Sequence, residues 1–378
     1  RAETGEPYIV NLDLCNEALP KGQKELGLEI KQSNLCSEIT LPTNEERTAV
    51  CCLSSVNLEY FDEWSKDPHF ISDLITMLDN TLQHFIENAI DTTHLGEYNA
   101  NYKRFKTYIR EGQEGFTKAA YSAYRERSIG LGAMGFHAYL QRKNIDFESI
   151  YATGFNNKCF KYIKSESCKV SKRLADERGE APDINGSGYR NSHLLAVAPN
   201  ASSSIICGGT SPSIEPFRAN IYTHKTLTGN YQVKNRFLEN LFKEKGLSEV
   251  EIKNTWESII ENNGSVQHLD ILSEHEKNVF KTATEINQIW VVEHAVKRQD
   301  FICQSQSVNL FFVLPKATES QEIHDEYMQY INDVHWYGAN KLKSLYYFRT
   351  EAARGTENIA IKIPRIKLDE IECLSCEG

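Results

Sequence analysis

The chain has 378 residues, 40% hydrophobic and 25% charged, an ordinary globular composition with room for one large domain or two smaller ones. A net charge of -10 argues against a general binder of nucleic-acid backbones, although a local anion site stays open. No apolar run approaches the roughly 18 residues of a membrane span, no signal-peptide pattern is seen, and ten irregularly spaced cysteines do not make a disulfide scaffold. Reduced thiols in a cytoplasmic compartment are expected, a few of them doing redox work.

Residues 8–13 read as a strand and 14–33 as a loop rich in Gly, Lys and Glu. Core-like sequence so soon after Arg1 reads as the interior of a longer protein. Residues 49–58 read as a buried strand from their small and apolar character. A helix is expected from about Ser65 to Ile90, with Ile71, Leu74, Ile75, Leu78, Leu82 and Phe85 on one stripe. More helix is expected across 116–142 and 147–177, then a buried strand at His193–Ala198 that ends in Pro199-Asn200-Ala201-Ser202-Ser203-Ser204. Ile221-Tyr222 suggests a short strand. Helices follow at 231–245, at 248–262 behind a Ser248/Glu251 capping box, and at 274–299. Ser307–Leu314 reads as a strand, Thr318 and Gln321 as a second capping box for a helix to about Ala339, and Lys343–Phe348 as the last strand. From residue 350 the charge and the loss of periodicity suggest a loosely held tail. Strands separated by long helices mean an α/β architecture with parallel pairing, as a barrel or an open sheet.

The most informative stretch is Ser33-Asn34-Leu35-Cys36-Ser37-Glu38-Ile39, with Cys51-Cys52 close behind. If it is extended, residues two apart face the same way. Asn34, Cys36 and Glu38 would then point an amide, a thiol and a carboxylate into one space, a set able to hold a hydroxyl, react at carbon and take a proton. A loop with one buried cysteine is the bland alternative. Gly130-Leu131-Gly132-Ala133-Met134-Gly135 matches a dinucleotide fingerprint, but its approach reads as polar helix, not as the strand that fingerprint requires, so close helix packing is the better account. The turn Pro199–Ser204 offers hydroxyls and backbone N–H groups where α/β proteins bind anions. Cys373-Leu374-Ser375-Cys376 lacks a second Cys or His pair to complete a zinc site and suits thiol–disulfide exchange instead. No metal site is expected, and the eleven histidines, among them His137, His193 and His335, show no ligand spacing.

Together these motifs resemble the large catalytic subunit of class I ribonucleotide reductase, from mid-barrel to the C-terminus. The resemblance rests on Ser33–Ile39, Ala49-Val50-Cys51, Arg127-Ser128-Ile129-Gly130-Leu131-Gly132, Pro199 to Pro216 with Ile214-Glu215-Pro216, Leu345-Tyr346-Tyr347 and the terminal cysteine pair. It implies the second half of a ten-stranded α/β barrel over residues 1–349, whose central finger loop carries Cys36, and a flexible redox tail over 350–378. Cys36 would form the thiyl radical that abstracts the 3′ hydrogen of a ribonucleoside diphosphate. Glu38 would be the base on the 3′-hydroxyl, and Asn34 would hold the substrate hydroxyls. Cys51 would be one of two reducing thiols, the other lying upstream of this chain. Cys52 departs from the family pattern and is expected to face away as a buried bystander. Pro199, Asn200, Ala201, Ser202 and Ser203 would form the substrate-phosphate turn, although Ala201 replaces a polar residue of some relatives. Tyr347 and then Tyr346 would pass the radical inward from a separate metal-containing small subunit. A relay needs its rings in contact, so the strand is expected to break at this pair. Cys373 and Cys376 would re-reduce the active site and be reduced by thioredoxin or glutaredoxin, at a spacing tighter than in some relatives. No cofactor would be bound by this chain itself. Its expected partners are the N-terminal half and the small subunit in a hetero-oligomer, with neither nucleic acid nor membrane among them. Three rivals are a cobalamin-dependent relative, a glycyl-radical enzyme using Gly355, and a non-catalytic scaffold fragment.

Overall fold

The computed structural model describes residues 4–91, 101–226 and 229–352. Its architecture is mixed α/β, and the strands among the described residues form no closed sheet. The chain opens with β1 (Ile9–Val10), α1 (Leu12–Glu17) and α2 (Lys21–Glu25), so two short helices stand where a loop was expected. Asn11 caps α1 by accepting a hydrogen bond from the Leu14 N–H. The finger loop follows, then β2 (Leu53–Asn57), α3 (Phe61–Trp64) and α4 (Phe70–Ala89). The apolar stripe of α4 packs as its spacing requires: Ile71, Ile75, Leu78 and Leu82 are buried, and Leu74 and Phe85 are half-buried against the same core.

The span 116–142 is not one helix. After the short α5 (Tyr102–Phe105) come α6 (Thr117–Glu126), β3 (Gly130–Met134) and α7 (Phe136–Arg142). What ends α6 is Arg127, left-handed at φ 45° without being glycine. Its guanidinium is anchored 3.0 Å from the buried carboxylate of Asp79 on α4, which also pairs with Arg178 at 2.9 Å. Burial pushes the Asp79 acid up, but the surrounding arginines more than offset this and hold it below the ordinary carboxylate value.

The glycine motif is therefore a buried strand, and neither a nucleotide loop nor a helix face. β3 pairs in parallel with β2, from Leu53 opposite Gly130 to Asn57 opposite Met134. A Cβ on Gly130 would stand 2.4 Å from the Leu53 side chain, and one on Gly132 would stand 2.5 Å from the Ala196 carbonyl oxygen. The glycines are there because neighbouring strands approach that closely.

α8 (Ile150–Arg178) then leads to the extended segment His193–Ala198, where Leu195 bridges in parallel to Leu131 and Val197 to Gln306. α9 (Ala201–Ile206) follows directly. Residues 220–280 build a satellite with its own core of Leu238, Phe242, Trp256, Ile259 and Phe280. It comprises β4 (Ile221–Thr226), β5 (Gly229–Lys234), α10 (Arg236–Glu244), α11 (Glu249–Glu261) and α12 (Glu274–Val279). The Ser248/Glu251 capping box forms as read, and Ser273/Glu276 forms another. The helix expected over 231–245 thus begins as a strand, and the one expected over 274–299 is two, since residues 280–287 separate α12 from α13 (Gln288–Gln299).

The sheet resumes with β6 (Leu310–Leu314), which ends at Pro315. α14 (Gln321–Lys341) is capped by Ser320, which accepts from the Ile323 N–H, and not by the expected Thr318/Gln321 box. The last expected strand is two pieces, β7 (Ser344–Leu345) and β8 (Phe348–Ala352). β8 pairs in parallel with β6, while β7 pairs antiparallel with β1. Structure therefore continues past residue 350, and the remainder of the expected tail lies outside the described residues.

Gly132→Ala should destabilise the chain by about 1–3 kcal/mol, because the Ala196 backbone cannot yield to a methyl group. A lowered urea midpoint checks this; an unchanged midpoint would mean the strands are not so tightly apposed.

Candidate active site

The Asn34–Glu38 segment is a turn and not a strand, so the alternation expected for Asn34, Cys36 and Glu38 does not hold. The Ser37 N–H donates to the Asn34 carbonyl at 3.1 Å, and Ser37 takes φ 62°. The Asn34 Oδ1 accepts from the Ile39 N–H at 3.0 Å, and the Asn34 N–H donates to the Ile39 carbonyl at 3.3 Å. Asn34 thus spends its amide oxygen on closing the turn. Its amide nitrogen is the donor that this closure does not use. The tip carries Leu35, 77% exposed, and Cys36, half-buried, while Ser37 and Glu38 are buried.

Partners from the opposite end of the sequence hold this turn. The Ser307 hydroxyl is 2.5 Å from the Cys36 carbonyl oxygen and 3.2 Å from Glu38 Oε2. The Ser305 N–H donates to the Glu38 carbonyl at 2.9 Å, and the Ser344 hydroxyl donates to the Ser37 carbonyl at 2.8 Å. On the far side of the finger, Arg47 makes a two-pronged pair with the buried Asp183, at 2.6 and 3.0 Å.

Cys51 lies on the exposed approach to β2, outside the strand proper. Atoms packed around its sulfur, and then the neighbouring Glu38 and Cys36, push its thiol pKa above the ordinary value. Glu38 and Cys36 thus lie near enough to Cys51 to bias its thiol toward the protonated form. Cys52 turns the other way as expected, buried with its thiol 3.4 Å from the Leu78 carbonyl oxygen.

The tyrosines meet the thiol. Tyr346 directs its hydroxyl at Cys36 Sγ, 3.7 Å away. Residues 346 and 347 fall between β7 and β8, outside strand geometry, and their ring centroids lie 4.4 Å apart at 56°. The backbone break expected for a ring-to-ring relay is therefore present. It is made by the Tyr346 N–H donating to Val308 and by the Asn309 side chain accepting from the Tyr347 N–H at 3.1 Å. Burial, and then the contact with Cys36, raise the Tyr346 phenol pKa well above its ordinary value.

The serine turn differs from its expected form in one respect. Asn200 is left-handed (φ 49°) and starts α9, but its amide donates to Ser55 Oγ at 2.9 Å and to the carbonyls of Ala198 and Ala133. It therefore binds together the ends of neighbouring strands and is not a free ligand group. Pro199 is half-buried, and Ala201, Ser202 and Ser203 are exposed at the start of α9, while Ser204 is buried. The cysteines at 373 and 376 lie outside the described residues. His137 and His193 are fully buried, and burial lowers both to about 3, so they are neutral structural groups. Among the described residues no cluster of three or more His, Cys, Asp or Glu side chains could hold a metal, and no helix is long and apolar enough to cross a membrane.

Sequence reasoning missed Ser305, Ser307 and Ser344, which sit in no recognisable motif. It also gave no role to Glu215, whose Ile-Glu-Pro setting was visible. Glu215 is buried and accepts a hydrogen bond from the Asn309 amide, the same side chain that fixes the Tyr347 N–H. A charged guanidinium, that of Arg349, lies over the Tyr347 ring at 4.6 Å.

The geometry thus sets a thiol against one of two touching tyrosine rings, with a carboxylate and a second thiol nearby, on an α/β scaffold. Comparison makes the family explicit. The family model "Ribonucleotide reductase, barrel domain" matches residues 1–187 and 181–348, and the chain belongs to that family. Over 385 residues it is 45% identical to the ribonucleoside-diphosphate reductase large subunit of Invertebrate iridescent virus 3, covering all of this chain and 55% of that protein. The putative large subunit of Frog virus 3 (isolate Goorha) is 42% identical, again over the whole of this chain and 61% of its own length. Among solved structures, the class Id ribonucleotide reductase alpha subunit of Actinobacillus ureae superposes with a TM-score of 0.74 at 38% identity, covering 93% of this chain and 59% of that one. The chain thus spans a little over half the length of these relatives.

Burial pushes the Glu215 acid from 4.5 up to about 7. The folded state therefore keeps a proton that the unfolded chain has already lost, and the stability this confers declines as pH rises through that window. Glu215→Gln removes the ionisation, so it should raise the melting temperature relative to the unsubstituted chain more at pH 8 than at pH 5. An equal shift at both pH values in calorimetry would contradict the assignment.

Proposed function

We propose that this chain is the C-terminal part of a ribonucleoside-diphosphate reductase large subunit and supplies the radical thiol of deoxynucleotide synthesis. The observation that carries the reading is the 3.7 Å contact of the Tyr346 hydroxyl with Cys36 Sγ, at the inner end of a tyrosine pair whose rings touch. A radical arriving on Tyr347 takes a hydrogen atom from Tyr346, and Tyr346 then takes one from the Cys36 thiol, so a sulfur radical forms where the substrate sits. The radical itself would come from a separate, metal-containing small subunit.

Each residue then has one task. The Cys36 radical takes the hydrogen atom from C3′ of the ribose, and Glu38 takes the proton of the 3′-hydroxyl. The 2′-hydroxyl leaves as water with a proton from the reducing thiols. Cys51 and a second thiol from the other half of the barrel supply the two electrons and end as a disulfide. Cys36 then returns its hydrogen atom to C3′ and becomes the radical again, ready to pass it back outward, and Glu38 returns its proton to the 3′-oxygen. Glu38 sits correctly because Ser307 donates to it, and Cys51 is protonated for the same reason its pKa is raised. Asn34 would donate its amide N–H groups to the substrate hydroxyls, and the Pro199–Ser203 turn would take the diphosphate on its exposed hydroxyls and free N–H groups.

The terminal dithiol, Cys373 and Cys376, would reduce the active-site disulfide and be reduced in turn by thioredoxin or glutaredoxin. In this reading residues 1–349 complete a barrel together with the N-terminal half, and 350–378 form the redox tail. The working unit is a hetero-oligomer in the cytoplasm.

Two outcomes are expected. In a complex assembled from this chain, the other half of the large subunit and the small subunit, Cys36→Ser should lower turnover by about a thousandfold or more with little change in melting temperature, because it removes the reacting atom and not a packing contact. Unchanged turnover would leave only a scaffold role. Without the other half, deoxynucleotide formation should be absent, because a two-electron reduction needs both thiols; product from this chain and the small subunit alone would refute the division of labour.

A further inference from the structure

One aromatic ring at the site has no role in the relay just described. Tyr8 lies with its ring centroid 4.7 Å from that of Tyr346 and 5.0 Å from that of Tyr347, edge-on to the latter at 83°. The three rings are in mutual contact, with Tyr8 against both members of the pair. It is placed there by backbone pairing across most of the chain's length. Ile9 and Val10 pair antiparallel with Leu345 and Ser344, the Phe348 N–H donates to the Gly5 carbonyl at 3.1 Å, and the Asn11 N–H donates to the Lys343 carbonyl at 2.8 Å. The segment 5–11 thus brackets the 346–347 break on both sides, and Tyr8 is the side chain it presents at the gap.

A strand that leaves regular geometry for two residues loses the alternation that would otherwise fix where its side chains point. The ring of Tyr347 needs an outside restraint if it is to stay against that of Tyr346. Tyr8 supplies a rigid apolar face against both rings. Its hydroxyl is 3.2 Å from Glu6 Oε1 and also interacts with Tyr347, while the contact with Cys36 is made by Tyr346.

We propose that Tyr8 is a positioning residue of the relay, its ring holding Tyr346 and Tyr347 in contact so that a radical can pass between them. The inference rests on the relay reading of the preceding section, and it adds a part of the device that lies at the opposite end of the sequence. The role falls to the ring, which touches both tyrosines, whereas the hydroxyl meets only Tyr347 of the pair; Tyr8→Phe separates the two.

The test uses the assembled complex with 3-aminotyrosine in place of Tyr346, which traps the arriving radical and is read by electron paramagnetic resonance. Tyr8→Phe should keep the trapped yield within about twofold, and Tyr8→Leu should lower it by about tenfold or more, the scale expected for a small misplacement of reacting groups. With Tyr346 restored, Tyr8→Leu should lower kcat similarly and leave KM unchanged, whereas a merely structural residue would change the amount of assembled complex and not the yield per complex. An unchanged yield in Tyr8→Leu would overturn the proposal, as would equal losses in the Phe and Leu variants. Absence of a trapped radical with Tyr8 intact would instead show that the relay reading itself had failed.

Discussion

The site depends on one hydroxyl. Ser307 reaches the backbone carbonyl of Cys36 and the carboxylate of Glu38 together, and so fixes the proposed radical thiol relative to its proposed base. A finger loop has little packing of its own, and a pre-organised site needs a supporting shell that removes the remaining freedom. Here that shell is a ladder of serines, 305, 307 and 344, which join the finger to the segment that leads into the tyrosines. Cys36, Glu38 and the tyrosine pair therefore share one rigid frame.

The same frame accounts for the glycine-rich strand. β3 is buried along its whole length, between β2 and the segment His193–Ala198. Its missing side chains let the sheet close tightly enough for Asn200 to tie Ser55, Ala133 and Ala198 together at the strand ends. Cys51 leads into one of these strands and the serine turn leaves another. The parts proposed to reduce the sugar and to hold its phosphates are thus anchored to a common scaffold.

Three of the six non-glycine residues described in the left-handed region mark where tertiary structure overrode local preference. Ser37 turns the finger, Arg127 ends α6, and Asn200 opens α9. Each costs backbone energy that an isolated peptide would avoid. Each is held by the surrounding protein: Ser37 by Ser344, Arg127 by Asp79, and Asn200 by three amide hydrogen bonds. Two of the three lie in the proposed site.

The sequence by itself determined the chemistry-bearing residues and their order, from the cysteines and carboxylate of the finger to the paired tyrosines. It also determined the long helices, because the apolar period of α4 and the cap of α11 are local signals. The break at Tyr346-Tyr347 was legible too, from the requirement that the rings touch. Only the tertiary structure decided that the finger is a turn, that Gly130–Met134 is a strand, that Asn200 is a structural clamp, that Tyr8 packs on the tyrosine pair and that Ser307 holds the finger. The physical reason is the same in each case. These outcomes rest on hydrogen bonds and ring contacts between residues far apart in the chain, and no local pattern of residue types encodes such a partner.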